Sequence, residues 1–191
     1  MPLPPPAPRQ SAHERRYTYC GYHREDGLWD IEGQLRDTKP FDHRVRDEVR
    51  LAGTPMHDMH VRVTIDDAMT VVDIHAALLS TPFAECPRAE APVRQLIGAS
   101  LGRGWRRALD DALGSTRGCT HLRELLFGTA TAAFQTLGAY KDHLRQQRGE
   151  PEPVWSRPPF FMGHCMSWDF DGPVVARVAP QFIGWHRRQE S

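Results

Sequence analysis

The chain has 191 residues, 40% of them hydrophobic, which is enough for one ordinary domain with a real core. Lys+Arg and Asp+Glu both number 24, so the formal net charge is zero. That balance argues against a general nucleic-acid surface or an anionic-membrane surface, either of which needs a basic excess.

Met1–Arg9 is proline-rich, with no apolar core and no cleavage site, and reads with the residues to 16 as a disordered arm rather than a signal peptide. The longest apolar stretches, such as Ala76–Leu79, are too short to span a bilayer. The expected location is the cytoplasm, with no membrane partner. Four cysteines, Cys20, Cys86, Cys119 and Cys165, are widely spaced with no CxxC pair, so structural disulfides are not expected.

Residues 17–185 read as one domain. Tyr17–Arg24 alternates aromatic and polar residues, Glu25-Asp26-Gly27 turns the chain, and Leu28–Arg36 alternates again. In that second run Trp29, Ile31, Gly33 and Leu35 share a side, and the pair predicts an N-terminal β-hairpin over 17–36. Residues 41–51 fit strand and helix equally. After the Gly53-Thr54-Pro55 turn, His57–Ile65 alternates with Met59, Val61, Val63 and Ile65 on one face. Asp66-Asp67 turns the chain into a second strand over Met69–Leu79.

From Arg88 the period becomes helical: Arg88–Ile97, Trp105–Leu113 and Cys119–Leu137 all fit, and Ala139–Arg148 extends the last as a polar helix. Residues 149–159 read as a Pro-rich surface linker. The segment 160–185 follows, with a strand expected over Val174–Val178. Strands first and helices afterwards predict an α+β fold, an antiparallel sheet with helices packed on one face.

Cys119 draws attention first. It lies in Gly118-Cys119-Thr120-His121-Leu122, at the predicted start of a long helix, where the partial positive charge favours a thiolate. A thiolate binds a metal or attacks carbon. His57-Asp58-Met59-His60 follows a Gly-x-Pro turn; on a strand His57 and Met59 take one face, Asp58 and His60 the other. Cys86 stands where sheet hands over to helices, and Gly163-His164-Cys165 follows the linker. Cys20 reads as structural.

His57, Cys86 and Cys119, with His121 or Cys165 as fourth ligand, make a soft nitrogen and sulfur set suited to a single zinc or iron ion. Such an ion requires the Cys86 and Cys119 sulfurs to lie within about 4 Å of each other. Asp58 and His60 are the candidate acid–base groups, and Trp29, Trp105 and Trp168 the candidate walls of an apolar pocket. The same residues also fit a nucleophilic Cys119 without metal, or cysteines that merely pack. No P-loop, dinucleotide-binding glycine pattern, HExxH or serine nucleophile elbow is present. The reading is a metal-dependent enzyme of lyase or hydrolase type with a small-molecule substrate; the alternative is a metal or iron–sulfur assembly accessory protein.

Tyr22-x-Arg24-x-Asp26-Gly27-Leu28-Trp29-Asp30-x-Glu32-Gly33, Gly53-x-Pro55-x-His57-Asp58-Met59, Pro82-x3-Cys86 and Gly118-Cys119-Thr120-His121-Leu122 together resemble an uncharacterised bacterial family known only as a domain of unknown function. Residues 53–137, within a core expected over 53–148, also resemble, more distantly, iron–sulfur cluster assembly scaffolds of the NifU type. That resemblance implies a scaffold-like core and sets His57, Cys86 and Cys119 at the three ligand positions. This chain departs from the scaffolds in having His for the first Cys, and it lacks their chaperone-recognition proline motif.

Overall fold

The computed structural model describes residues 3–45 and 48–185. The chain forms two compact units, Met1–Leu144 and Arg145–Ser191. In the first, β1 (Glu14–His23), β2 (Trp29–Thr38), β5 (His57–Ile65) and β6 (Val71–Ser80) form an antiparallel four-stranded sheet in that order. Between β2 and β5 a small hairpin, β3 (His43–Val45) and β4 (Glu48–Arg50), resolves the ambiguous segment as strand.

The α+β expectation and the N-terminal hairpin are both present. β5 has the predicted bounds, and the first hairpin runs further than its alternation suggested. The register is the reason: β1 and β2 stay paired as far as Glu14 opposite Thr38. Between β5 and β6, Asp66 closes the turn by accepting from the N–H groups of Ala68 and Thr70, with Met69 in the left-handed region at φ 63°.

One face of the sheet carries the core. Trp29, Ile31, Leu35, Met59, Val61, Val63, Ile65 and Ile74 are buried there with Leu109, Leu113, Leu122, Leu125 and Leu126 of the helices. The expectation that Trp29 and Trp105 wall a pocket is therefore corrected: both belong to this core, and their indole N–H groups are bonded to Asp67 and to the Leu126 carbonyl. Cys20, read as structural, is exposed.

The predicted helix over 88–97 is a 3-10 run, Cys86–Leu96. Pro92 inside it has no N–H to give an α-helical bond. Helix α1 (Trp105–Leu113) matches its prediction. Helix α2 (Thr120–Gln147) buries Leu122, Leu125, Leu126, Thr129, Ala133 and Leu137 along one stripe. It lies close against β1, because glycines stand where the two would collide. A Cβ at Gly21 would meet the Thr136 side chain, and one at Gly128 would meet the Tyr19 phenol. Tyr19 in turn donates its hydroxyl to the Leu125 carbonyl at 2.9 Å.

The second unit packs Met162, Val175, Ala179 and Phe182 with Trp155, Phe161, Trp168 and Phe170. The strand expected over Val174–Val178 is instead a short helix, α3 (Pro173–Val178). Proline at its first position presets the helical φ, and its Val175 side chain faces this small core. Among the described residues, no helix is long and apolar enough to cross a membrane.

The Gly21 contact sets a steric limit. Gly21→Ala is expected to cost about 1–3 kcal/mol through overpacking against α2. Urea denaturation measures it, and Thr136→Ala in the same chain should recover part of the loss.

Candidate functional site

Alternation along β2 places Trp29, Ile31, Leu35 and finally Asp37 on the core side. A carboxylate thus ends an apolar row, only 2% exposed. Register supplies its partners. Arg15 on β1 and His57 on β5 stand directly opposite Asp37 on either side. All three side chains meet on the inner face as one row across three strands.

The guanidinium of Arg15 grips Asp37 with both ends, Nε to Oδ1 at 2.7 Å and Nη2 to Oδ2 at 2.8 Å. His57 Nδ1 lies 2.8 Å from Oδ2 and His13 Nε2 3.2 Å from Oδ1. Four nitrogens therefore fill the four lone-pair positions of one carboxylate. Burial by itself would raise the Asp37 pKa; the hydrogen bonds from Arg15 and then His57, with the charge behind them, outweigh it and bring it down to about 2. Arg15 is in turn held more firmly protonated by its hydrogen bond to Asp37, against the opposing effect of burial. An ionised carboxylate only accepts, so His57 Nδ1 carries a proton and its Nε2 is left to act as base or ligand.

The start of α2 brings the second half. Cys119 precedes the first helical residue, and its carbonyl accepts from the Arg123 N–H. His121 stacks on His57 with ring centroids 3.9 Å apart and a tilt of 32°. Its Nδ1 is 3.8 Å from Cys119 Sγ. Burial first, then electrostatic interaction with His57 and Arg15, lowers the His121 pKa below the ordinary 6.5. One turn further on, Glu124 accepts from the Tyr17 hydroxyl at 2.9 Å and lies 3.4 Å from Arg15, tying the helix to β1.

Among the described residues, Asp37, His57 and His121 form the group of three whose ligand atoms lie within 4.8 Å of one another. Of the residues expected as ligands, the fold brings together His57 and His121 with Cys119 beside them. Cys86 is not in that group; it lines a neighbouring cleft of about 410 Å³ whose wall also includes Cys119. Cys165 is exposed and belongs to the second unit. Asp58 and His60 lie on the opposite face of β5 from His57, where Asp58 Oδ1 accepts from Gln34 Nε2 at 3.1 Å and lies 3.0 Å from His60 Nε2. They are a separate surface pair, apart from the Asp37 cluster.

Asp37 and Arg15 went unread in the sequence. Continuing the Trp29–Leu35 alternation by one more step reaches Asp37. Arg15 had no such signal, since it falls within the stretch that reads as arm.

The chain matches, over residues 13–135, the model of the family described as protein of unknown function DUF2889, and it belongs to that family. The matched span begins at His13 and includes every member of the cluster. No curated protein and no solved structure gives a significant match to the chain.

The Asp37 interactions stabilise the fold in a pH-dependent way. The folded pKa lies below the ordinary 3.8, so the contribution is complete above that value and is lost as pH falls through about 2. A shift of that size is worth about 2 kcal/mol. Asp37→Asn should cost about that much at neutral pH, and the gap from the unsubstituted protein should close as acid denaturation is followed down to about pH 2.

Proposed function

We propose that the protein is an enzyme of lyase or hydrolase type acting on a small organic molecule, with a single zinc or iron ion held by His57 and His121. The observation that carries this reading is the convergence of two imidazoles and a buried carboxylate within 4.8 Å. Histidine nitrogen suits both metals. Asp37, its lone pairs filled, acts through His57: it fixes the Nδ1–H tautomer and turns Nε2 outward, as carboxylates behind metal-bound histidines do. An ion held by His57 and His121 would supply Lewis-acid chemistry, polarising a substrate oxygen or activating water.

Two imidazoles sharing one ion at about 2.0–2.1 Å set their ring centroids roughly 5 Å apart. At 3.9 Å these rings are closer than that. Binding therefore requires one ring to swing away. His57 is pinned at Nδ1, so His121 at the start of α2 is the ring that moves.

Protein purified without a His-tag, under reducing and anaerobic conditions, should carry one zinc or iron per chain by elemental analysis. His57→Ala and His121→Ala should lose it, and Asp37→Asn should weaken it by about 10–100-fold. Protein that arrives empty and takes up neither Zn2+ nor Fe2+ in titration overturns the reading.

The contact between Cys119 and His121 at 3.8 Å favours a second reading, a thiol nucleophile with His121 as base. A neutral His121 beside a thiol at a helix start is the arrangement such chemistry uses. In metal-free protein, His121→Ala should then slow alkylation of Cys119 by iodoacetamide by about tenfold or more. An unchanged rate rejects it.

A further inference from the structure

The cleft beside Cys119 has a chemistry of its own. One wall comes from the start of the 3-10 run, with Glu85, Cys86 and Arg88; the other comes from Arg117, Gly118 and Cys119. Its volume, about 410 Å³, is that of a small-molecule site. Gly118 keeps the second wall close to the helix before it, since a Cβ there would press on Leu113.

Two arginines line this space. Among the described residues, the Arg88 guanidinium has no hydrogen-bond or ion-pair partner, and Arg117 donates from Nη2 to the Asp110 backbone carbonyl while the Asp110 carboxylate pairs with Arg123. A backbone carbonyl leaves the guanidinium charge uncompensated, and the remaining N–H groups are still available. Glu85 is the acid in the lining, so the two guanidiniums outnumber it. Other arginines are compensated: Arg15 and Arg62 on the sheet, Arg24 just after β1 and Arg94 in the 3-10 run each face an Asp or Glu. A pair of guanidiniums with no carboxylate of its own, set around a concave site, suits an anionic group.

We propose that this cleft binds a small organic anion, a carboxylate held by Arg88 and Arg117, and that this is the substrate class of the neighbouring centre. Calling the anion a substrate rests on the reading of His57 and His121 as a reaction centre; its binding does not. The cleft carries the recognition, and Cys119, which lines it and contacts His121, is the link between the two.

The cysteines in the wall report on the cleft directly. The full-length protein is alkylated in parallel with iodoacetate, an anion, and iodoacetamide, its neutral counterpart. Peptide mass mapping gives the rate at Cys86 and at Cys119, and the iodoacetate-to-iodoacetamide ratio is compared with that of the same cysteines in urea. An attractive cleft should raise the ratio in the folded protein by about threefold or more, with the excess falling at high ionic strength. Arg88→Gln and Arg117→Gln, both at exposed positions, should each reduce the excess, and Glu85→Gln should increase it. Benzoate should protect the two cysteines where benzamide does not.

A ratio equal to that in urea, or one unmoved by the arginine substitutions, overturns the proposal. Elemental analysis of the same preparation reads the metal separately. Anion selectivity in protein that arrives without metal and takes up neither Zn2+ nor Fe2+ leaves the cleft standing and removes the metal centre; metal without selectivity does the reverse.

Discussion

Everything at the candidate site depends on one buried carboxylate. Asp37 ends a row of apolar side chains, where an unpaired charge would be costly to desolvate. It is tolerated because Arg15, His13 and His57 surround it with donors at 2.7–3.2 Å. The same bonds do two further things. They fasten β1 to the sheet at its far end, and they decide which nitrogen of His57 points outward. Stability and site geometry are thus set by the same four contacts, and losing the carboxylate disturbs both.

The pleat of the sheet separates two sets of polar residues that are neighbours in sequence. His57 turns inward to Asp37, while Asp58 and His60 bond each other on the outer face. The helix start completes the inner set. Because α2 lies against β1 through Gly21 and Gly128, His121 is brought down onto His57, and Cys119 is left at the junction with the cleft. The packing of a helix on a strand through two glycines therefore fixes the distance between two imidazoles. The family match covers this whole arrangement, from His13 through the middle of α2, and does not reach the second unit.

Much of this was legible from periodicity. Alternation over His57–Ile65 gave β5 its bounds and put His57 on the core side, and the glycine before Cys119 marked the start of α2. The composition rule for helices was weaker. Val174–Val178 reads as a strand because β-branched residues favour one, yet Pro173 and the packing of Val175 make it helix. The likeness to NifU-type scaffolds pointed to His57, Cys86 and Cys119 as one ligand set. In the fold, His57 is paired with Asp37 and His121, a carboxylate and a histidine outside that set.

By itself the sequence determined the four long strands and the two main helices, the sheet face on which His57 lies and the cysteine and histidine at the start of α2, because each follows from local period and turn chemistry. It did not determine what His57 meets. Arg15 and Asp37 are 22 residues apart, and Asp37 and His57 20 apart, so only strand register could set them opposite one another. His121 reaches the same point only through a helix packed across the sheet. Long-range pairing leaves no mark in a local pattern, and it was pairing that turned separate polar residues into a site.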